Sequence, residues 1–369
     1  MSENVELDEV SEGATRLLVP RCRTEKGPGS IQGSVFYNRQ MSFNRDISVM
    51  FFSSPQVKVR TALDAMSATG ARAVRIMNEA RPETEFHVND WDGRAADVIE
   101  RNLALNGIVN GKARNEDLRC LLAKETFDYI DLDPFGTPVP YLHAALQGLR
   151  RNGILAITAT DTAPLAGTHA KKCVRRYQAR PCRCIFGHEV GLRILIGYVA
   201  RQAAMFDRGT IPLLCFYADH YFRLYLRMPE TAESADESLK NLGYLHFDRE
   251  SHDREVGPWP KDRGWAGPLW TGDICDKGLL ENMSAEEGLA ERSRCEKYLQ
   301  IWKEELSVPY FFENNELSSH LKRSPVRLAS LMEEISHHGK VSRTHFSPTG
   351  FKTDLPYSDV AKIYLNMSG

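Results

Sequence analysis

No stretch of this 369-residue sequence approaches the ~18 consecutive apolar residues that a membrane-spanning helix requires. The acidic start MSENVELDEVSEG lacks the basic-then-apolar order of a secretory signal. Both absences predict an intracellular, cytoplasmic chain. Charge of one sign is lacking too. Lys and Arg number 47 against 49 Asp and Glu, a net of -2, so a nucleic-acid partner would need a local basic patch. Cysteines are few, 8 scattered from Cys22 to Cys295, which is no disulfide framework. Cys173, Cys182 and Cys184, with His188 nearby, come nearest to a metal set. Their C-x-C spacing is tighter than a usual zinc pair and no second pair follows, so free thiols and no metal are expected. Solenoid-period repeats are absent as well. An apolar share of 42% excludes disorder and low-complexity architectures, and the length suits two or three domains.

What is there begins with alternation. Short apolar runs and helical patterns alternate over 59–161, which predicts βαβ units and a parallel sheet. The strand candidates are 59–66, 85–90, 112–117, 127–133 and 153–161, each ending in polar or acidic residues. A helix is expected over about 188–207, with Leu192, Ile196, Val199, Ala203 and Phe206 on one face. Residues 213–228 read as a hairpin closing the sheet edge. A boundary falls near Pro229, giving domains 1–228 and 229–369. From about 300 the pattern is helix, turn, helix, β-ribbon, with Ser324-Pro325 as a helix start, Gly339 as its stop, and a hairpin across 340–354. That outline is winged-helix-like.

Ligands of open parallel sheets gather at the carboxyl ends of strands, so the endings carry the chemistry. LDAMSATGARAVR (63–75) turns tightly at Ser67–Gly70 before a helix, where a glycine lets the backbone approach a nucleoside. The G-x-G-x-x-G dinucleotide fingerprint is missing. Asp90 ends the next strand, where an acid takes ribose hydroxyls, and Asp117 ends the third, within reach of an adenine amino group. NAD and S-adenosylmethionine both fit these residues. Asp131-Leu132-Asp133-Pro134-Phe135-Gly136 then separates them. An exocyclic base amine is a poor nucleophile because its lone pair is delocalised. The Asp133 carboxylate and Pro134 carbonyl can accept its hydrogens, while Phe135 stacks on the base and aligns it. Hydride transfer has no use for such a set.

These segments, together with SVFYNRQMSFNRD (34–46), ITATDTAPLAG (157–167), DHYFR (219–223) and THFSPTGFKTD (344–354), resemble the tRNA guanine-26 N2-dimethyltransferase family, in its archaeal form, almost end to end. The resemblance implies an α/β fold: a Rossmann-like class I methyltransferase domain followed by a family-specific C-terminal α+β domain. It implies S-adenosyl-L-methionine as cofactor, tRNA as partner, and neither a membrane nor an obligate protein partner. Carried over by motif, Arg45 and Arg72 would pair with the methionine carboxylate. Asp90 would hold the ribose, Asp117 and Leu118 the adenine, and Asp133 would be the catalytic carboxylate. Two departures stand out. The paired cysteines of many members are missing from GYLHFDRESHDREVGPWP, and the segment between Val19 and Ser34 is longer than the family pattern.

RNA binding needs positive charge, which KKCVRRYQARPCR (171–183) supplies with six basic residues and no acid. Lys171, Lys172, Arg175 and Arg176 are its candidate phosphate contacts; a solvated helix face is the plain alternative. In the last 69 residues 8 basic and 8 acidic side chains balance, though Lys322, Arg323, Arg343 and His345 can cluster on one face. Two other functions fit the residues less well: amino-methylation of another RNA base, and RNA binding by an inactive fold.

Overall fold

The computed structural model describes residues 5–21, 35–261 and 264–368; most of the long segment after Val19 lies outside them. The chain forms two compact units that interleave in sequence. One contains Met1–Ala159, Tyr225–Pro229 and Lys277–Leu299, and the other Thr160–Leu224, Glu230–Asp276 and Gln300–Gly369. Pro229 is thus one of several crossings between them.

An N-terminal antiparallel hairpin, β1 (Leu7–Glu12) and β2 (Thr15–Pro20), precedes helix α1 (Ser42–Ser53). Seven strands then build one sheet: β3 (Thr61–Asp64), β4 (Glu85–Asn89), β5 (Gly111–Arg114), β6 (Phe127–Leu132), β7 (Leu149–Ala159), β8 (Ile211–Ala218) and β9 (Tyr221–Met228). Their order is β5-β4-β3-β6-β7-β9-β8, and β5 through β7 pair in parallel. Parallel strands covered on both faces must be apolar along their length, as the buried Leu63, Val88, Ile130 and Ile157 illustrate. Helices α2 (Ala71–Glu79), α3 (Gly93–Leu105) and α4 (Leu118–Leu122) follow β3, β4 and β5 in turn. Asn102 of α3 fastens the hairpin to the first βα turn: its Oδ1 accepts from Leu18 N at 2.6 Å, and its Nδ2 donates to Thr69 O at 2.9 Å.

In the second unit the helix Gly187–Ala204 differs from the one-faced expectation. It is buried nearly all round, and Phe206 lies beyond its end. Gly197 makes this possible. A Cβ there would come within 3.0 Å of Trp270 N, so only glycine admits the strand β12 (Trp265–Trp270), which stands with β10 (Leu242–Phe247) and β11 (Arg254–Gly257) in a separate sheet. Glu189 on this helix is fully buried, which demands partners. It pairs with Arg193 and with Lys352, both at 3.1 Å.

The C-terminal elements are β13 (Phe312–Glu313), helices Asn314–Leu321 and Leu328–Ser336, the hairpin β14 (Val341–Arg343) and β15 (Gly350–Thr353), and helix Tyr357–Met367. Ser324-Pro325 does not start a helix. Tyr364 accepts from Val326 N and donates to Ser324 O, each at 3.3 Å, while Asn314 Nδ2 donates to Val326 O at 2.8 Å. These tertiary bonds hold 324–326, and the helix begins at Leu328 after an extended Arg327.

Candidate active site

The first βα turn follows the sequence. Gly70 adopts φ +73° before α2, a left-handed conformation that favours glycine. A Cβ there would meet Ile99 at 3.1 Å and Val88 at 3.2 Å. Asp90, one residue past β4, accepts from Ala68 N at 2.9 Å and Asp92 N at 3.0 Å, so it braces the same turn. Burial raises its pKa against these backbone bonds. Trp91 beside it is 83% exposed. Asp117 does not end β5, which stops at Arg114. It is instead the N-cap of α4, accepting from Arg119 N at 2.9 Å and pairing with the Arg119 side chain at 2.7 Å. That pairing holds its carboxyl down at about 2. Leu118 is buried as the first residue of α4.

At the ends of β3 and β6 three carboxylates meet one guanidinium. Asp64 and Asp131 are register partners on adjacent strands, so both side chains stand on the same sheet face. Asp131 also accepts from Tyr129 Oη at 2.7 Å. Arg72, on α2, contacts Asp133 directly and lies 3.7 Å from Asp131. Burial, then repulsion from Asp131, pushes Asp64 up to about 7 despite Arg72. Two further groups on α1 meet Arg72: Asn44 Oδ1 at 2.5 Å and Ser48 Oγ at 2.9 Å. The Asn44 amide nitrogen is buried with no partner among the described residues.

Past Asp133, Pro134 is buried and Phe135 is 56% exposed. Phe36 meets Phe135 edge-on with ring centroids 4.8 Å apart, so an aromatic pair stands open beside the carboxylate. Arg45 is not a free surface arginine. It is buried on Glu12, with Nε and Nη2 each 2.6 Å from a carboxylate oxygen. Burial would raise Glu12, but Arg45 and Arg75 hold it down at about 2.

The structure thus brings Arg72, Asp133, Pro134 and Phe135 together. Sequence reasoning passed over Asp64, Asn44, Ser48, Phe36 and Trp91. Asp64 had a signal, since it ends its strand as Asp90 nearly does. Asn44 and Ser48 stand four apart on one helix, a spacing that shares a face.

Two of the expected RNA contacts are engaged within the fold. His345 is buried, with Nδ1 2.5 Å from Glu305, and offers no face to a phosphate. Arg176 is tied to Asp161 at 2.8 Å. Lys171 and Arg175 are exposed, while Lys172 is half-buried. Arg343 is half-buried on β14 and gives Nη2 to the Pro348 carbonyl. No cluster of metal ligands occurs among the described residues, and no helix among them is long and apolar enough to cross a membrane.

A mostly parallel sheet in this order, with a glycine turn and acids at successive strand ends, defines a Rossmann-like α/β methyltransferase. The family described as N2,N2-dimethylguanosine tRNA methyltransferase matches residues 13–365, and this chain belongs to it. A relative named tRNA (guanine(26)-N(2))-dimethyltransferase, from Pyrococcus abyssi, is 40% identical over 376 residues, covering 96% of this chain and 97% of its own. One of the same name from Saccharolobus solfataricus is 36% identical over 377 residues, covering 97% and 98%. The solved complex of Trm1 from Pyrococcus horikoshii with S-adenosyl-L-methionine superposes with a TM-score of 0.89 at 34% identity, covering 97% of this chain and 99% of that one.

Proposed function

We propose that this protein transfers methyl groups from S-adenosyl-L-methionine to the exocyclic N2 of guanine 26 in tRNA, giving N2-methyl- and then N2,N2-dimethylguanine. The observation that carries the reading is the half-buried Asp133 carboxylate at a strand end, next to Phe135 and Phe36 and within a family match of nearly full length. Asp133 and the Pro134 carbonyl accept the amine hydrogens, which favours an sp3 nitrogen with an available lone pair. Phe135 and Phe36 flank the base and fix its approach.

The residues present fit the cofactor. Gly70 permits the left-handed turn ahead of α2, Asp90 is held in place for two hydroxyls, and the unpartnered Asn44 amide supplies a buried donor. When bound, S-adenosylmethionine supplies the electrophilic methyl group. Arg72 and the remaining edge of Arg45 hold the methionine carboxylate, and Asp117 with the Leu118 backbone holds the adenine. Arg72 also contacts Asp133, so cofactor and amine sites share one guanidinium.

Residues 229–369, apart from Lys277–Leu299, act as the family-specific C-terminal domain, winged-helix-like from about 300. Two consecutive helices, a β-ribbon and the strand order β13-β15-β14 support that reading. Phosphates are held by Lys171, Lys172, Arg175 and Arg343, in a cytoplasmic enzyme that needs no protein partner. Nucleoside mass spectrometry of unmodified tRNA incubated with protein and S-adenosylmethionine tests the function. N2-methyl- and N2,N2-dimethylguanosine mapping to position 26 are expected. Methylation of another base, or none, overturns it.

A further inference from the structure

The basic helix Ala170–Tyr177 is not uniform. Cys173 and Tyr177, four apart, are buried and set its inward face. Tyr177 donates its hydroxyl to Asp161 at 2.6 Å and Arg176 pairs with the other oxygen at 2.8 Å, so Arg176 is neutralised. Lys171, Val174 and Arg175 lie on another side. With Ala170, Arg180 and Pro181 they line a shallow cavity of about 460 Å³ that opens to the surface. Among the described residues no carboxylate pairs with Lys171, Arg175 or Arg180.

The cavity has two chemical characters. Three unneutralised cations stand around it, and Val174, Pro181 and Ala170 give it an aliphatic wall; Val174 is left 46% exposed. Arg180 is held in place. Its guanidinium sits 4.6 Å from the Trp265 ring centroid, and its backbone exchanges two hydrogen bonds of 2.8 Å with Gly267. A guanidinium stacked in this way keeps its charge and a flat face. A phosphate alone has no use for the aliphatic wall, and an apolar peptide has no use for three cations. A nucleotide uses both.

We infer that this cavity takes an unstacked nucleotide of the bound RNA, distinct from the one methylated. Lys171 and Arg175 hold its phosphate, and its base lies against Val174 and Pro181 beside Arg180. The inference rests on the tRNA-binding reading above and deepens it, turning a diffuse charge attraction into a shaped subsite. Such a subsite recognises a nucleotide that tRNA folding leaves free to leave its stack.

Val174→Trp separates the two characters, because it fills the cavity and leaves every charge in place. Unmodified tRNA binding is measured by fluorescence anisotropy over a salt series. Val174→Trp should weaken binding at least tenfold with the salt slope unchanged. Lys171→Ala with Arg175→Ala should flatten the slope by ~0.7–0.9, for the one phosphate no longer neutralised. A second measurement uses the wild-type protein: tRNA carrying 4-thiouridine, irradiated, should crosslink to the segment 170–181. Wild-type binding by Val174→Trp, or no crosslink there, overturns the subsite. Displacement of tRNA by polyglutamate as readily as by oligouridylate also overturns it, since the face would then read charge alone. Methyl transfer by the wild type to the same tRNA is followed in parallel. Its failure strikes the reading above, whereas intact transfer with an indifferent Val174→Trp strikes only the subsite.

Discussion

Asp133 sits between two tasks, because the guanidinium it touches belongs to the proposed cofactor site. Asp133→Ala should therefore slow methyl transfer by about 10²–10⁴-fold, the usual range for a lost general base or acceptor. Cofactor affinity should hold or rise, since Arg72 loses a competitor; calorimetry and single-turnover rates check both. Asp90→Ala removes a charged acceptor worth roughly 1.5–3 kcal/mol per hydrogen bond. A cofactor dissociation constant at least tenfold higher is expected, and an unchanged one would refute the ribose role. Glu12 offers a pH signature. Its carboxyl lies at about 2 against an ordinary 4.5, so its contribution is fully present above pH 4.5 and fades as pH falls toward 2. The shift is worth about 3 kcal/mol. Denaturant unfolding of wild type and Glu12→Gln should show a stability gap that narrows below pH 4.5. A gap independent of pH would disprove the assignment.

Among the elements, the turn between β3 and α2 concentrates the most constraint. Gly70 has positive φ, and both Val88 and Ile99 crowd the place of a Cβ. Gly70→Ala should cost about 1–2 kcal/mol from the left-handed backbone alone. It should also weaken cofactor binding, because the same turn is braced by Asp90. Thermal melts and calorimetry together test this, and unaltered values in both would mean the turn relaxes freely. The helix Gly187–Ala204 shows the opposite economy of pattern. Its burial on all sides depends on Gly197 and on partners for Glu189 and Arg193, so a one-faced periodicity described only part of it.

For the molecule as a whole, the chain returns to its first unit after leaving it. Lys277–Leu299 belongs with Met1–Ala159. The N–H groups of Ala290 and Glu291 donate to the buried Asp46 at 3.2 and 2.6 Å, and Asp46 also pairs with Arg75 at 2.6 Å. Residues 1–229 expressed alone lose those donors, at about 1–3 kcal/mol for each buried group left unsatisfied. The fragment should show no cooperative thermal transition by circular dichroism. A sharp melt would mean that residues up to Pro229 fold without the later segment.

The family, the βαβ alternation, the glycine turn, and the positions of Asp90, Asp133 and Phe135 just beyond strand ends were all legible in the amino-acid order. Each of these rests on neighbours in the chain, where strand period, turn chemistry and motif spacing act locally. That Glu12 holds Arg45, that Arg72 reaches Asp133, and that Asp64 stands beside Asp131 emerged from the folded chain alone. Folding likewise separated Arg176, neutralised by Asp161, from Lys171 and Arg175, and buried His345 against Glu305. Charge and exposure depend on which residues from distant segments come to lie opposite one another, and no local pattern encodes that pairing.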